Sequence, residues 1–280
     1  MQGGAALLIQ VLAENQAISG GFKGEHGLSL YIETKKQKII FDFGASNLCI
    51  EHARKLGINL ADVDLAVISH GHHDHVGGLK EFLQINTKAP IYVRRQAFGG
   101  HYSRKPDGKE NYIGLEQNLL PNNRFVFTDE YLRINEELEL FSGVKGEKMV
   151  PVGNQNLLME KDNERVKDDF LHEQNLLVKE GENKLLIAGC AHRGIVNIIE
   201  HVEKMGYGPI THVIGGFHLY SPPTDKYEEP ELIKGIGNYL KATGLMYYTC
   251  HCTGTEAYKL LKEVMGEKID YLACPMALHI

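Results

Sequence analysis

The sequence lacks a Cys-x-x-Cys pair, a long apolar run and any excess of basic charge. Its five cysteines (Cys49, Cys190, Cys250, Cys252 and Cys274) are odd in number and suggest no disulfide framework. A zinc ribbon and a thioredoxin-type redox motif are therefore excluded, and a reducing compartment is expected. No apolar run approaches the roughly 20 residues that a membrane helix needs. Met1 to Asn15 has no basic segment ahead of its short apolar run, so it is not read as a signal peptide. A cytoplasmic location is the expectation. A net charge of −6 and an isoelectric point near 6.2 argue against a broad basic face for nucleic acid. No internal repeat or linker divides the 280 residues, which are read as one domain.

What the sequence does have is histidine, at 14 copies. His70-Gly71-His72-His73-Asp74-His75 follows residues 63–69, an apolar, β-branched run that reads as a buried strand. Gly77 and Gly78 then open a helix expected over 79–84. Imidazole and carboxylate are the donors that zinc-like cations prefer, so this strand-to-helix turn reads as a metal site. His70 and His72 are spaced to share one ion while Asp74 and His75 face a second. Two later turns repeat the same order of strand, potential ligand, glycine and helix. They are Gly189-Cys190-Ala191-His192-Arg193-Gly194 after residues 184–188, and Cys250-His251-Cys252-Thr253-Gly254 after residues 246–249. Strands of one sheet ending at a common edge would bring the three turns together, which makes His192 and His251 candidate ligands.

Further strands are expected at 7–13, 28–33, 38–42, 91–93, 124–127, 137–141, 175–179 and 212–215. Helices are expected at 47–56 and around 195–202, 232–240 and 257–264. Residues 95–123 lose periodicity and read as a loop-rich insert. His52 and His201 fall on helices and are read as solvated, and His73 as pointing away from its neighbours' target. His26 and His101 lie in loops that could reach over a cleft. Arg94, Arg95, Arg104 and Lys105 read either as a solvated loop or as an anion site.

The pattern His70-x-His72-x-Asp74-His75 after a strand, with Phe41-Asp42-Phe43-Gly44 closing an earlier one, resembles the metallo-β-lactamase superfamily over nearly the whole chain. The resemblance implies an α/β fold, a four-layer αββα sandwich with a two-metal cleft at the sheet edges. It implies one ion on His70, His72 and a third histidine, and a second on Asp74, His75 and His251. Where the superfamily usually has Gly-Asp, with the carboxylate bridging both metals, this chain has Gly189-Cys190. Either the Cys190 thiolate takes part or His192 supplies the ligand. His192 is assigned to the first ion, with His172 as the alternative, and Cys190 is kept as a bridging or neighbouring group.

The turns at 189–194, 215–219 and 249–254 also resemble a subfamily described as dihydropterin-ribofuranosylaminobenzene phosphate synthase-like. Gly215-Gly216 could admit a backbone or a phosphate, with His218 as proton donor, anion contact or simple strand-end cap. The implied activity is a metal-dependent hydrolase. Two divalent ions, zinc first with iron or manganese as alternatives, would activate water against a small substrate, phosphorylated or otherwise. Asp74 and His218 are the candidate catalytic groups. The alternatives are condensation of a pterin with an arylamine, a metal-binding protein without turnover, and a di-iron redox protein, against which His72 stands. A small molecule is the expected partner, with no membrane or nucleic acid.

Overall fold

The computed structural model describes residues 7–280; residues 1–6, the start of the segment read for a signal, lie outside the described residues. Two hydrophobic patterns decide the architecture. Strands such as Lys38–Phe41, Leu65–Val67 and Asn183–Ile187 bury successive residues, so both of their faces need cover. Helices Ile195–Lys204, Pro230–Ala242 and Thr255–Met265 instead bury one stripe each, such as Ile195, Ile198, Ile199 and Val202. Two sheets face to face with helices outside satisfy both patterns. The protein is an α/β sandwich layered helix, sheet, sheet, helix.

The first seven-stranded sheet runs Ala277–His279, Leu8–Ala13, Ser29–Glu33, Lys38–Phe41, Leu65–Val67, Ile91–Arg94, Phe125–Thr128. The second, also seven-stranded, runs Ile269–Tyr271, Met246–Thr249, His212–Gly215, Asn183–Ile187, Gln174–Glu180, Leu138–Ser142, Tyr131–Arg133. Between them Val11, Leu30, Phe41 and Val67 share a buried core with Leu140, Leu176, Ile187 and Ile214. Each sheet is parallel on one side, from Lys38–Phe41 to Phe125–Thr128 and from Asn183–Ile187 to Ile269–Tyr271. Parallel strands place their C-terminal ends at one edge, where open α/β sheets build their sites. The three histidine-bearing turns all leave such ends.

Several local expectations change. The strand before the first motif is only Leu65–Val67, because Asn59 caps a single helical turn at Leu60–Asp62 ahead of it and the Ser69 amide turns to the Asp42 carboxylate. The helix after the motif starts at His73, breaks at Gly77-Gly78 and resumes at Leu79–Ile85. Gly77 is there for close packing, since a Cβ would collide with the Ala45 carbonyl. Within the insert, His101–Arg104 and Glu110–Tyr112 form strands of a small sheet completed by Leu157–Lys161 and Glu164–Lys167. The turn joining the last two has both Asp162 and Asn163 at positive φ, the pairing that two-residue hairpins favour. His52 is not solvated: it is fully buried, donating from Nδ1 to the Leu12 carbonyl at 2.8 Å. His201 is half-buried and stacks on Phe141.

Candidate metal centre

Strand register builds the first half of the site. Phe41 pairs with Val67, which sets Asp42 beside Ser69. The buried Asp42 carboxylate accepts from the Ser69 amide at 2.7 Å, the Ser69 hydroxyl at 2.6 Å and His75 Nδ1 at 2.7 Å. Ser69 Oγ in turn lies 2.8 Å from His70 Nδ1. One carboxylate thus orients two imidazoles, His75 directly and His70 through Ser69. With Nδ1 engaged, each ring turns Nε2 into the cleft, as metal-ligating histidines do.

The other two turns supply the facing rings. His192 donates from Nδ1 to Asn154 Oδ1 at 3.0 Å, stacks on Phe170, and brings Nε2 within 3.4 Å of His70 Nε2. His251 donates from Nδ1 to Asn15 Oδ1 at 2.8 Å, and its Nε2 lies 3.1 Å from Asp74 Oδ2 and 3.2 Å from His75 Nε2. Asp42, Ala191, His218 and His251 all have left-handed backbones. Such conformations cost about 1–3 kcal/mol each and concentrate at sites where the surrounding structure enforces them.

Overlapping donor groups result. His70, His72 and His192 have ring nitrogens within 4.8 Å of one another, and Asp74, His251 and His26 form a second group by the same measure. His72 Nε2 is buried without a hydrogen-bond partner; its nearest carboxylate, Asp168, is 3.8 Å away. An orphaned buried nitrogen costs about 1–3 kcal/mol; this one lies on the Asp168 side of the ring, and the fit to a cation rests on the convergence of the three rings. Burial and the surrounding imidazoles hold His70 and His192 well below the usual histidine range, leaving them neutral donors. Asp74 is partly buried, which opposes ionisation, but His75, His251 and His26 hold it well below the carboxylate range. His75 is opposed by burial yet carried up to about 9 by Asp42 and Asp74, so a cation there displaces a proton. The donor set fits divalent metal.

His26, His72, Asp74 and His192 line a cavity of about 380 Å³. Of the four basic residues read as an anion site, only Lys105 lines it. Arg94 donates to the Thr128 and Leu171 carbonyls, Arg95 stacks on Phe127 and Arg104 pairs with Glu110. A family model described as the metallo-beta-lactamase superfamily matches residues 23–223. The chain belongs to the metallo-β-lactamase superfamily. A solved metal-dependent hydrolase of the β-lactamase superfamily is 31% identical, with a TM-score of 0.81 over 98% of this chain and 99% of that one. Two proteins of Methanocaldococcus jannaschii are also similar. An uncharacterized protein is 29% identical over 92% of this chain and 94% of its own. The 7,8-dihydropterin-6-methyl-4-(beta-D-ribofuranosyl)-aminobenzene-5'-phosphate synthase is 28% identical over 94% and 93%.

Within this superfamily site, His70, His72, Asp74, His75, His192 and His251 converge, and Cys190 lies between the groups with Sγ 3.1 Å from His75 Nε2. His172, the alternative third histidine, is committed elsewhere. Its Nδ1 accepts the Gly71 amide at 3.0 Å and its Nε2 faces Asp168 at 3.2 Å, while Asp168 also binds His101 at 2.9 Å. This buried trio braces the His70–His72 turn from behind. His218 is buried against His192, their ring centres 4.3 Å apart. His73 is exposed but stands on the cavity wall and not away from it. Gly215 and Gly216 allow the close approach of neighbouring chain: a Cβ on them would strike the Ala188 carbonyl and Cys252 Sγ. His26, read as a loop histidine that could reach over a cleft, is carried by its glycine-rich loop to 3.2 Å from Asp74, while sequence reasoning missed Asn15, which holds both His26 and His251. It also missed Cys252, whose only signal was alternation with the core-packed Cys250 on either side of His251.

Proposed function

We propose that the protein is a metal-dependent hydrolase of small, anionic substrates, phosphorylated ones among them. The observation that carries the reading is the convergence of ring nitrogens from His70, His72 and His192, beside a second group with an ionised Asp74. His70, His72 and His192 would hold one divalent ion and Asp74, His75 and His251 the other, with Cys190 between them. Zinc fits this nitrogen, oxygen and sulfur set first, ahead of iron or manganese. When bound, the two ions supply Lewis acidity and an acidified water.

The chain's own residues do the rest. Asp42, Ser69, Asn15 and Asn154 set the ring orientations before substrate arrives. Asp74 Oδ2 accepts a hydrogen bond from the attacking water and orients it. Lys105 draws the anionic end of the substrate into the cavity. His218, with Nε2 over Gly153 on the cavity wall, donates a proton to the leaving group.

A second reading, a synthase joining a dihydropterin to an arylamine phosphate, is favoured by the 28% identity to that enzyme along nearly all of both chains. Elemental analysis of protein purified without added metal or chelator tests the centre. About two ions per chain are expected from the paired donor groups, falling by one in His192→Ala. Two irons would support the redox reading, and one ion or none, with no recovery on adding metal, would overturn the binuclear centre. Turnover of phosphate esters against turnover of a dihydropterin diphosphate with the arylamine then separates the two activities.

A further inference from the structure

Three adjacent parallel strands of the second sheet, Asn183–Ile187, His212–Gly215 and Met246–Thr249, each release one soft or borderline donor at the same edge. These are Cys190, His218 and Cys252. Their two sulfurs and one ring nitrogen lie within 4.8 Å of one another, and all three residues are buried. Both cysteines are free thiols. We propose that Cys190, Cys252 and His218 form a further metal pocket, a two-sulfur, one-nitrogen site for a thiophilic divalent ion such as zinc. The pocket shares Cys190 with the hydrolase reading and takes His218 through its buried Nδ1, leaving Nε2 for the leaving group, and it goes beyond that reading.

Independent features of the packing point the same way. His218 Nδ1 is buried and has no hydrogen-bond partner. The His218 amide donates to Cys252 Sγ at 3.2 Å, the kind of contact that stabilises a thiolate over a thiol. Gly216 has no side chain at the one place where a Cβ would strike that sulfur, so the backbone forms a cradle around it. Cys190 Sγ sits 3.1 Å from His75 Nε2, which places the pocket against the histidine groups without borrowing their other donors. Two thiolates and one imidazole are a known three-ligand zinc set that leaves a fourth position open. All three residues line the cavity, so that position faces it. Ligation releases one proton from each thiol and changes no oxidation state.

Cobalt substitution tests the proposal without any turnover. The metal-free full chain is loaded with Co²⁺ under a non-thiol reductant, and the near-ultraviolet thiolate-to-cobalt charge-transfer band is recorded beside the visible ligand-field bands. The wild type is expected to show the charge-transfer band. Each of Cys190→Ser and Cys252→Ser should reduce it to about half, because one of two thiolates remains, and the double variant should abolish it. Ligand-field bands with no charge-transfer band in the wild type would overturn the proposal while leaving the histidine centre and the hydrolase reading intact. A band that survives in the double variant would overturn it too. If the double variant fails to fold, Cys252→Ser alone is decisive: a charge-transfer band kept at full intensity would assign the thiolate to Cys190 beside the histidine groups and overturn the proposal.

Discussion

Asp42→Asn isolates the element on which the centre's orientation depends. Asparagine tolerates the positive φ of 60° at this position nearly as well as aspartate, so the backbone should hold. The carboxylate accepts three hydrogen bonds, from the Ser69 amide, the Ser69 hydroxyl and His75 Nδ1. An amide can keep its oxygen on the Ser69 amide, but its NH₂ then confronts the hydroxyl and the imidazole. The hydroxyl can rotate. His75 must move its proton from Nδ1 to Nε2, which is the nitrogen that faces Cys190 and His251. The lone pair offered to a cation is lost. Removing a partner of this kind costs about 10- to 100-fold in metal affinity, or about 1.4–2.8 kcal/mol. Competition of the metal-loaded protein with a chelator at neutral pH measures the loss directly. Affinity within twofold of wild type, with thermal unfolding showing an intact fold, would refute the argument that Asp42 sets the tautomer.

The same carboxylate makes the metal-free protein sensitive to pH. His75 rises from 6.5 to about 9 on folding, so its stabilisation is complete below about pH 6.5 and is lost as pH rises through 9; melting temperatures in chelator should fall across that window, and Asp42→Asn should flatten the slope. Asn15→Ala should weaken metal binding about tenfold with little change in melting temperature, because Asn15 holds His251 and His26 from a half-buried position; unchanged affinity by chelator competition would count against the role. Gly77→Ala forces a methyl onto the Ala45 carbonyl and should cost about 1–3 kcal/mol of stability by denaturant unfolding. Lys105→Ala should raise KM for anionic esters well above its effect on neutral ones while leaving kcat nearly unchanged, and an equal effect on both would remove Lys105 from substrate binding.

Much of this protein is legible in one dimension. The tight spacing of His70, His72, Asp74 and His75 after an apolar strand declares a metal site, because so many ligand-type side chains seldom gather there otherwise. The repeated order of strand, ligand and glycine at Cys190, His192 and His251 points to convergence, because parallel strands end at a common edge. Together these residues determined the superfamily, the sandwich and six of the histidine and aspartate positions at the cleft. Tertiary structure alone decided which potential ligands are free. His172 remained open in sequence as the alternative to His192, and packing shows it spent on Gly71 and Asp168 while His192 turns Nε2 to His70. His26 and Asn15 come from flexible-looking or unremarkable sequence and are recruited by packing across the sheet edge. Cys250 and Cys252 differ only in which way the turn at His251 points them, one into the core and one into the cleft. A motif records which donors exist. Hydrogen bonding to their other atoms, set by strands far apart in the chain, determines which lone pairs remain to be used.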